Sequence, residues 1–314
     1  MANYDAGHYF LTVMAPLQRA SFVEINGVRR SVIDHVRHML ATLPTAQQDH
    51  FSETSGLNSP FTRVPKTHFA HFFIIDTLHY NGRRPSNPIV DLLEKVQLTV
   101  PEDVDALPHA YLVLAVDFDA ADGSDAALRS YTDGLWAHMA AELTMLYRHC
   151  DGFGDVRDAD AFFAFVKTGQ VTTNLPFNDY WSYEPAMPDP APWMATASGL
   201  IAVSALVCGA IGLWPFGGWS LFFLIVLMLL AANIAIVAKF GLTPFPAAPD
   251  SDLESVLKAL YVQQTFLRFG IDNLGNSGPE LCQAFDAYCE THRPGDVAGP
   301  RQHPGVLRTA GPKT

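Results

Sequence analysis

From His8 to Pro16 apolar and β-branched positions crowd together, and the stretch predicts a strand stopped by its proline. The period then lengthens. Val28, Val32, Val36, Leu40 and Leu43 recur at helical spacing, so Gly27 to Leu43 predicts a helix that Pro44 ends. Gln47 to Pro65 is polar and interrupted by prolines, which predicts a loop. Thr67 to Tyr80 (THFAHFFIIDTLHY) predicts a second strand, closed by the turn signal Asn81-Gly82. A proline-marked linker around a short helix near Ile89 to Val96 leads to a third strand, Ala110 to Phe118. Asp125 to about His149 predicts a long helix with the stripe Leu128, Tyr131, Leu135, Met139, Leu143 and Leu146. A short helix, Ala159 to Lys167, and a last strand, Gln170 to Asn174, follow.

Strand, helix, strand, strand, helix, strand is the order of a ferredoxin-like α+β unit with an antiparallel sheet. Its second strand is apolar on both faces: Phe69, Phe73 and Ile75 oppose Ala70, Phe72 and Ile74. A sheet with helices on one face ordinarily leaves the other polar. The second face is therefore expected to be covered, by a partner subunit as in a dimeric α+β barrel or by C-terminal helices. A homo-oligomer is the expectation that follows.

Two uncharged apolar stretches, 194–213 and 219–238, flank the loop Trp214-Pro215-Phe216-Gly217-Gly218. Each has the roughly 20 residues that a helix needs to cross a bilayer core. They predict a two-helix transmembrane hairpin over 191–242. Ala205 and Gly209 would allow close helix packing, Asn233 would bond across helices, and Trp193, Trp214 and Trp219 would anchor the interfaces. Lys167, Lys239, Lys258 and Arg268 lie on the flanking side, so the positive-inside bias predicts an inner (cytoplasmic) membrane location, with both termini cytoplasmic and lipid as a partner. The N-terminal MANYDAGHYFLTVMAP has no basic region before a long apolar core, which predicts no cleaved signal. The expected division is a cytoplasmic domain over 1–190, the hairpin, C-terminal helices over 243–291 that dock back on the domain, and a disordered tail over 292–314. Within 243–291, Ser251 to Phe269 predicts an amphipathic helix capped by Gly270, and Pro279 to Thr291 a second helix.

The net charge of −12 argues against nucleic acid as a partner. Four cysteines without a close pair, Cys150, Cys208, Cys282 and Cys289, read as reduced structural thiols. No metal-ligand set is identifiable. His35 and His38 are helix neighbours without a third ligand, and His68 and His71, three apart in a strand, point to opposite faces. Asp117, Asp119, Asp122 and Asp125 miss the calcium-loop spacing and read as a strand end passing into a capped helix. Arg63, Arg83 and Arg84 are candidates for gripping an anion. No nucleophile elbow, P-loop, HExxH or dinucleotide fingerprint is present, so no catalytic residue is assigned.

The strings SPFTRVPKTHFAHFFIIDTLHYNG (Ser59 to Gly82) and AYLVLAVDFDAADGSDAALRSYTDGL (Ala110 to Leu135) resemble bacterial two-span proteins whose α+β region is similar to the dye-decolorising peroxidases and the dimeric α+β barrels. The likeness covers roughly Tyr9 to Phe153, and more weakly the helix around Val262-Gln263-Gln264. It implies haem as a cofactor, with His68, His71 and His149 as axial candidates. Peroxidase relatives carry a GxxDG motif; the string here is Asp119-Ala120-Ala121-Asp122-Gly123, with Asp119 in place of the first glycine. Three functions remain in view. One is a membrane-anchored protein acting through protein or lipid-proximal association. The others are a haem-dependent peroxidase-like oxidoreductase and a small-molecule sensor using the apolar sheet face.

Overall fold

The computed structural model describes residues 3–19, 22–25, 27–77, 107–173 and 245–307, together with helical residues 199, 203, 206, 227–228, 230–236 and 238–239. The fold is α+β, and its sheets are antiparallel. The strands of the main sheet are β1 (Tyr4–Asp5), β2 (His8–Pro16), β5 (Thr67–Ile75), β6 (Tyr111–Asp119) and β7 (Gln170–Val171). β2 pairs with β6 on one side and with β1 and β7 on the other, and β6 pairs with β5, which forms an edge. Taken in chain order, the four strands other than β1 stand fourth-first-third-second, two interleaved β-α-β units.

One sheet face carries Tyr9, Leu11, Val13 and Ala15 beside Leu112, Leu114, Val116 and Phe118, all in the core. Helix α3 (Asp125–Tyr147) covers it with Leu128, Tyr131, Leu135, Met139, Leu143 and Leu146, the stripe read from the sequence. Each fully buried leucine contributes roughly 1.5–3 kcal/mol over an exposed one. Ser124 starts α3 by accepting a hydrogen bond from the Ala127 amide, and Asp158 does the same for α4 (Ala159–Gly169). Helix α1 (Val32–Thr42) adds Val36 and Met39 to the same core.

Several boundaries differ from expectation. Residues 22–31 form a hairpin, β3 (Phe22–Ile25) with β4 (Val28–Ser31), turning through Gly27, and α1 starts only at Val32. Ser31 is its N-cap, bonded to the Asp34 amide, and this local capping outweighs the helical spacing of Val28. The expected loop 47–65 contains α2 (His50–Ser55) and a 3₁₀ turn, Pro60–Arg63. Helix α5 (Leu253–Asp272) runs through Gly270, and α6 (Gly278–His292) packs on it through Phe266, Phe269, Phe285 and Tyr288. The short helix expected near Ile89 lies outside the described residues.

Two larger expectations are corrected. Among the described residues no helix is long and apolar enough to cross a membrane, so neither the transmembrane hairpin nor the inner-membrane location is supported. Composition supplied the apolar runs, whereas a span requires an unbroken helix of about 20 residues. Ala205, Gly209 and the three interfacial tryptophans lie outside the described residues, while Asn233 is a half-buried helical residue. The expected disordered tail includes described residues, 292–307, that hydrogen-bond to distant elements. The Gln47 amide donates to Gly305 O at 2.9 Å, and the Asn58 side chain to Pro304 O at 3.0 Å. Lys258 holds the carbonyls of His292 and Pro300, both at 2.8 Å. A proline- and glycine-rich segment lacks periodicity, yet hydrogen bonds to distant elements order it.

Candidate functional site

His8 opens β2 and lies opposite Asp119, the last residue of β6; Phe10 lies opposite Asp117. Cross-strand partners share a face, so His8, Asp117 and Asp119 gather on the side away from α3. The edge strand adds His68 through an irregularity. Thr67 pairs with Phe118 and Phe69 with Asp117, so His68 is the extra residue of a β-bulge. Thr67 turns inward, its hydroxyl 2.8 Å from that of Tyr131, while His68 turns outward to Asp119.

His68 Nε2 is 2.8 Å from Asp119 Oδ1, and His8 Nδ1 is 3.3 Å from Asp117 Oδ1 and 4.0 Å from Asp119 Oδ1. The two imidazoles meet edge to face with ring centroids 4.7 Å apart. His8 is fully buried, and the His68 side chain nearly so. The second oxygen of Asp119 accepts the Leu253 amide at 2.9 Å, which fastens the start of α5 to the end of β6. Gly7 makes that docking feasible. Its φ is +84°, and a Cβ there would lie 2.7 Å from Ala247 Cβ, where the chain approaches α5.

His68 also lines a cleft of about 630 Å³ beside β5. Ala70, Phe72, Met139 and Leu143 form its floor, Leu257 and Leu260 of α5 one wall, and Gly305 part of the roof. Gly305 has φ +72°, and a Cβ there would run into Asn58 and Thr62. The lining also carries polar side chains: His68, His71, Glu142, Gln48 and Gln302, with the hydroxyls of Thr45, Ser59, Thr62 and Thr67. Arg63, one of the expected anion grips, pairs with Glu142 and so is directed to this cleft's margin. Arg83 and Arg84 lie outside the described residues.

The three haem candidates do not converge. His68 and His71 share the outer face, because the bulge restarts the alternation and sets His71 opposite Ala115. The expectation of opposite faces fails for that reason. His71 is exposed, and His149 lies beyond the other end of β2, where its carbonyl accepts the Gln18 amide. There His149 packs edge to face on His35, with ring centroids 5.0 Å apart. Burial, with Arg148 and His35 beside it, pushes the His149 pKa down to about 4. Cys150 is buried, and burial pushes its thiol up to about 12; it is a packed thiol, not a nucleophile.

Of the four acids read as a strand end and cap, Asp122 fits, accepting the Ser124 amide at 2.9 Å. Asp125 pairs with Lys167. Asp117 and Asp119 turn instead toward the histidines. His8 and Asp119 were missed as site residues because 8, 68 and 119 are remote in sequence. Only strand register brings them together. His8, His68 and Asp119 each offer one ligand atom, all within 4.8 Å of one another.

Comparison with family models, curated proteins and solved structures found no match.

Proposed function

We propose that this α+β protein binds a small, largely apolar molecule in the cleft beside β5. The cleft's volume of about 630 Å³ carries the reading. Small-molecule sites commonly enclose roughly 300–1,000 Å³ and combine an apolar lining with a few polar groups. Apolar side chains from β5, α3 and α5 supply burial, while Glu142, Gln302 and His71 at the margin supply orientation. Segments from five parts of the chain meet here, so a ligand would hold the C-terminal strap against the sheet.

The amphiphilic dye 1-anilinonaphthalene-8-sulfonate tests this. Leu260→Trp fills the wall of the cleft and should weaken dye binding by about tenfold, a loss of ~1.4 kcal/mol. Leu274→Trp, on a side chain 80% exposed and outside the lining, should leave binding unchanged. Equal effects from the two variants would place the dye elsewhere and defeat the reading.

A further inference from the structure

We propose a second site: His8, His68 and Asp119 bind one divalent transition-metal ion, with Asp117 as the supporting carboxylate. This stands on the cluster's own geometry and does not require a ligand in the cleft. Imidazole and carboxylate bind such an ion at about 2.0–2.2 Å, so two ligands of one ion lie at most ~4.3 Å apart. The separations of 2.8 Å from His68 Nε2 to Asp119 Oδ1 and 4.0 Å from His8 Nδ1 to Asp119 Oδ1 fall inside that limit. All the ligand atoms lie within 4.8 Å of one another, so closing around an ion needs side-chain movement of about half an ångström at most.

Charge supports the same conclusion. Two carboxylates stand beside these rings, and a divalent ion would balance their negative charge in a largely buried cluster. Two nitrogen donors favour zinc, iron or cobalt over magnesium or calcium, which prefer oxygen. The supports are also built. Asp117, 3.3 Å from His8 Nδ1, adds its negative charge beside the ligands, and Asp119 keeps Oδ1 toward the histidines because the Leu253 amide holds Oδ2. Outer contacts of this kind orient metal ligands. Asp119 also lines a recess of about 320 Å³ with Lys66, Asp250 and Asp252, which gives an ion an approach from solvent.

The test is titration of the full chain, stripped with a chelator, with Co²⁺ and Zn²⁺ alone. Binding of one equivalent is expected, with visible ligand-field bands from Co²⁺ that Zn²⁺ removes. His8→Gln, His68→Gln and Asp119→Asn should each weaken binding by about tenfold or more. Asp119→Asn is the informative variant, because asparagine keeps an acceptor for the Leu253 amide while losing the charge. His38→Ala, on an exposed histidine of α1, should change nothing. Circular dichroism confirms that each variant is folded. Absence of stoichiometric binding by the wild-type chain overturns the site, as does undiminished binding by folded Asp119→Asn. Either result leaves the dye experiment on the cleft unaffected.

Discussion

Two pairs of histidines pack edge to face at opposite ends of β2, and their surroundings differ in sign. His8 and His68 meet at 4.7 Å beside the carboxylates of Asp117 and Asp119. His35 and His149 meet at 5.0 Å beside the guanidinium of Arg148, whose Nε donates to His149 Nε2 at 3.1 Å. An accepting ring nitrogen carries no proton, and burial together with Arg148 favours neutral His149. Carboxylates stand beside the first pair and a guanidinium beside the second. Ring packing is common to both; the residues around the rings determine what each pair can do.

The largest contrast should come from removing polarity at each end. Asp119→Ala takes away the acceptor of the Leu253 amide and the carboxylate facing His68, at a cost of about 3 kcal/mol in urea unfolding. His35→Leu should cost less than about 1 kcal/mol, because neither ring nitrogen of His35 has a hydrogen-bond partner among the described residues. Similar losses at the two ends would break the contrast.

Acid should act on the second pair. Folded His149 takes its proton only near pH 4, whereas an unperturbed histidine takes it near 6.5. Between these values the unfolded chain binds more protons, so stability is full above pH 6.5 and falls as pH drops toward 4, by about 2 kcal/mol. His35, also shifted downward by burial, adds in the same direction. Unfolding free energies of the wild type and His149→Gln, measured across this window, should show a shallower slope for the variant. Parallel curves would remove His149 as the cause.

A more local effect should appear at the first pair. Gly7→Ala forces a side chain onto Ala247 at a positive φ and should cost about 1–2 kcal/mol. Hydrogen exchange should quicken at the Leu253 amide but not at the Gln18 amide, which is bonded to His149 O at the far end. Equal acceleration at both would mean that the two ends loosen together.

Periodicity made most of the sheet and the covering helix legible: the strands at His8, Thr67 and Tyr111, and the stripe from Leu128 to Leu146, follow from spacing alone. It failed where a single residue changed the local geometry. Ser31 moved the start of α1, and the bulge at His68 put two histidines on one face that strict alternation sets apart. Candidate histidines were visible as residues, but the set His8, His68 and Asp119 depends on pairings between strands. Arg63 was legible as a cation, while its partner Glu142, far along the chain, was not. The apolar runs at 194–213 and 219–238 dominated the hydropathy pattern, and much of both lies outside the described residues.

The strap over the cleft also orders events in time. Asn58 and Pro304, whose contact helps to close the roof, stand 246 residues apart. On a ribosome the sheet and α3 can condense long before Pro304 and Gly305 are made, because domains fold from the N-terminus as they emerge. The sheet's edge beside Phe69 and His71 must therefore wait, uncovered, for most of the chain's synthesis. Closure over so long a loop is also entropically slow. The cleft thus closes late, and the interval before it closes is when its apolar floor lies open to other chains.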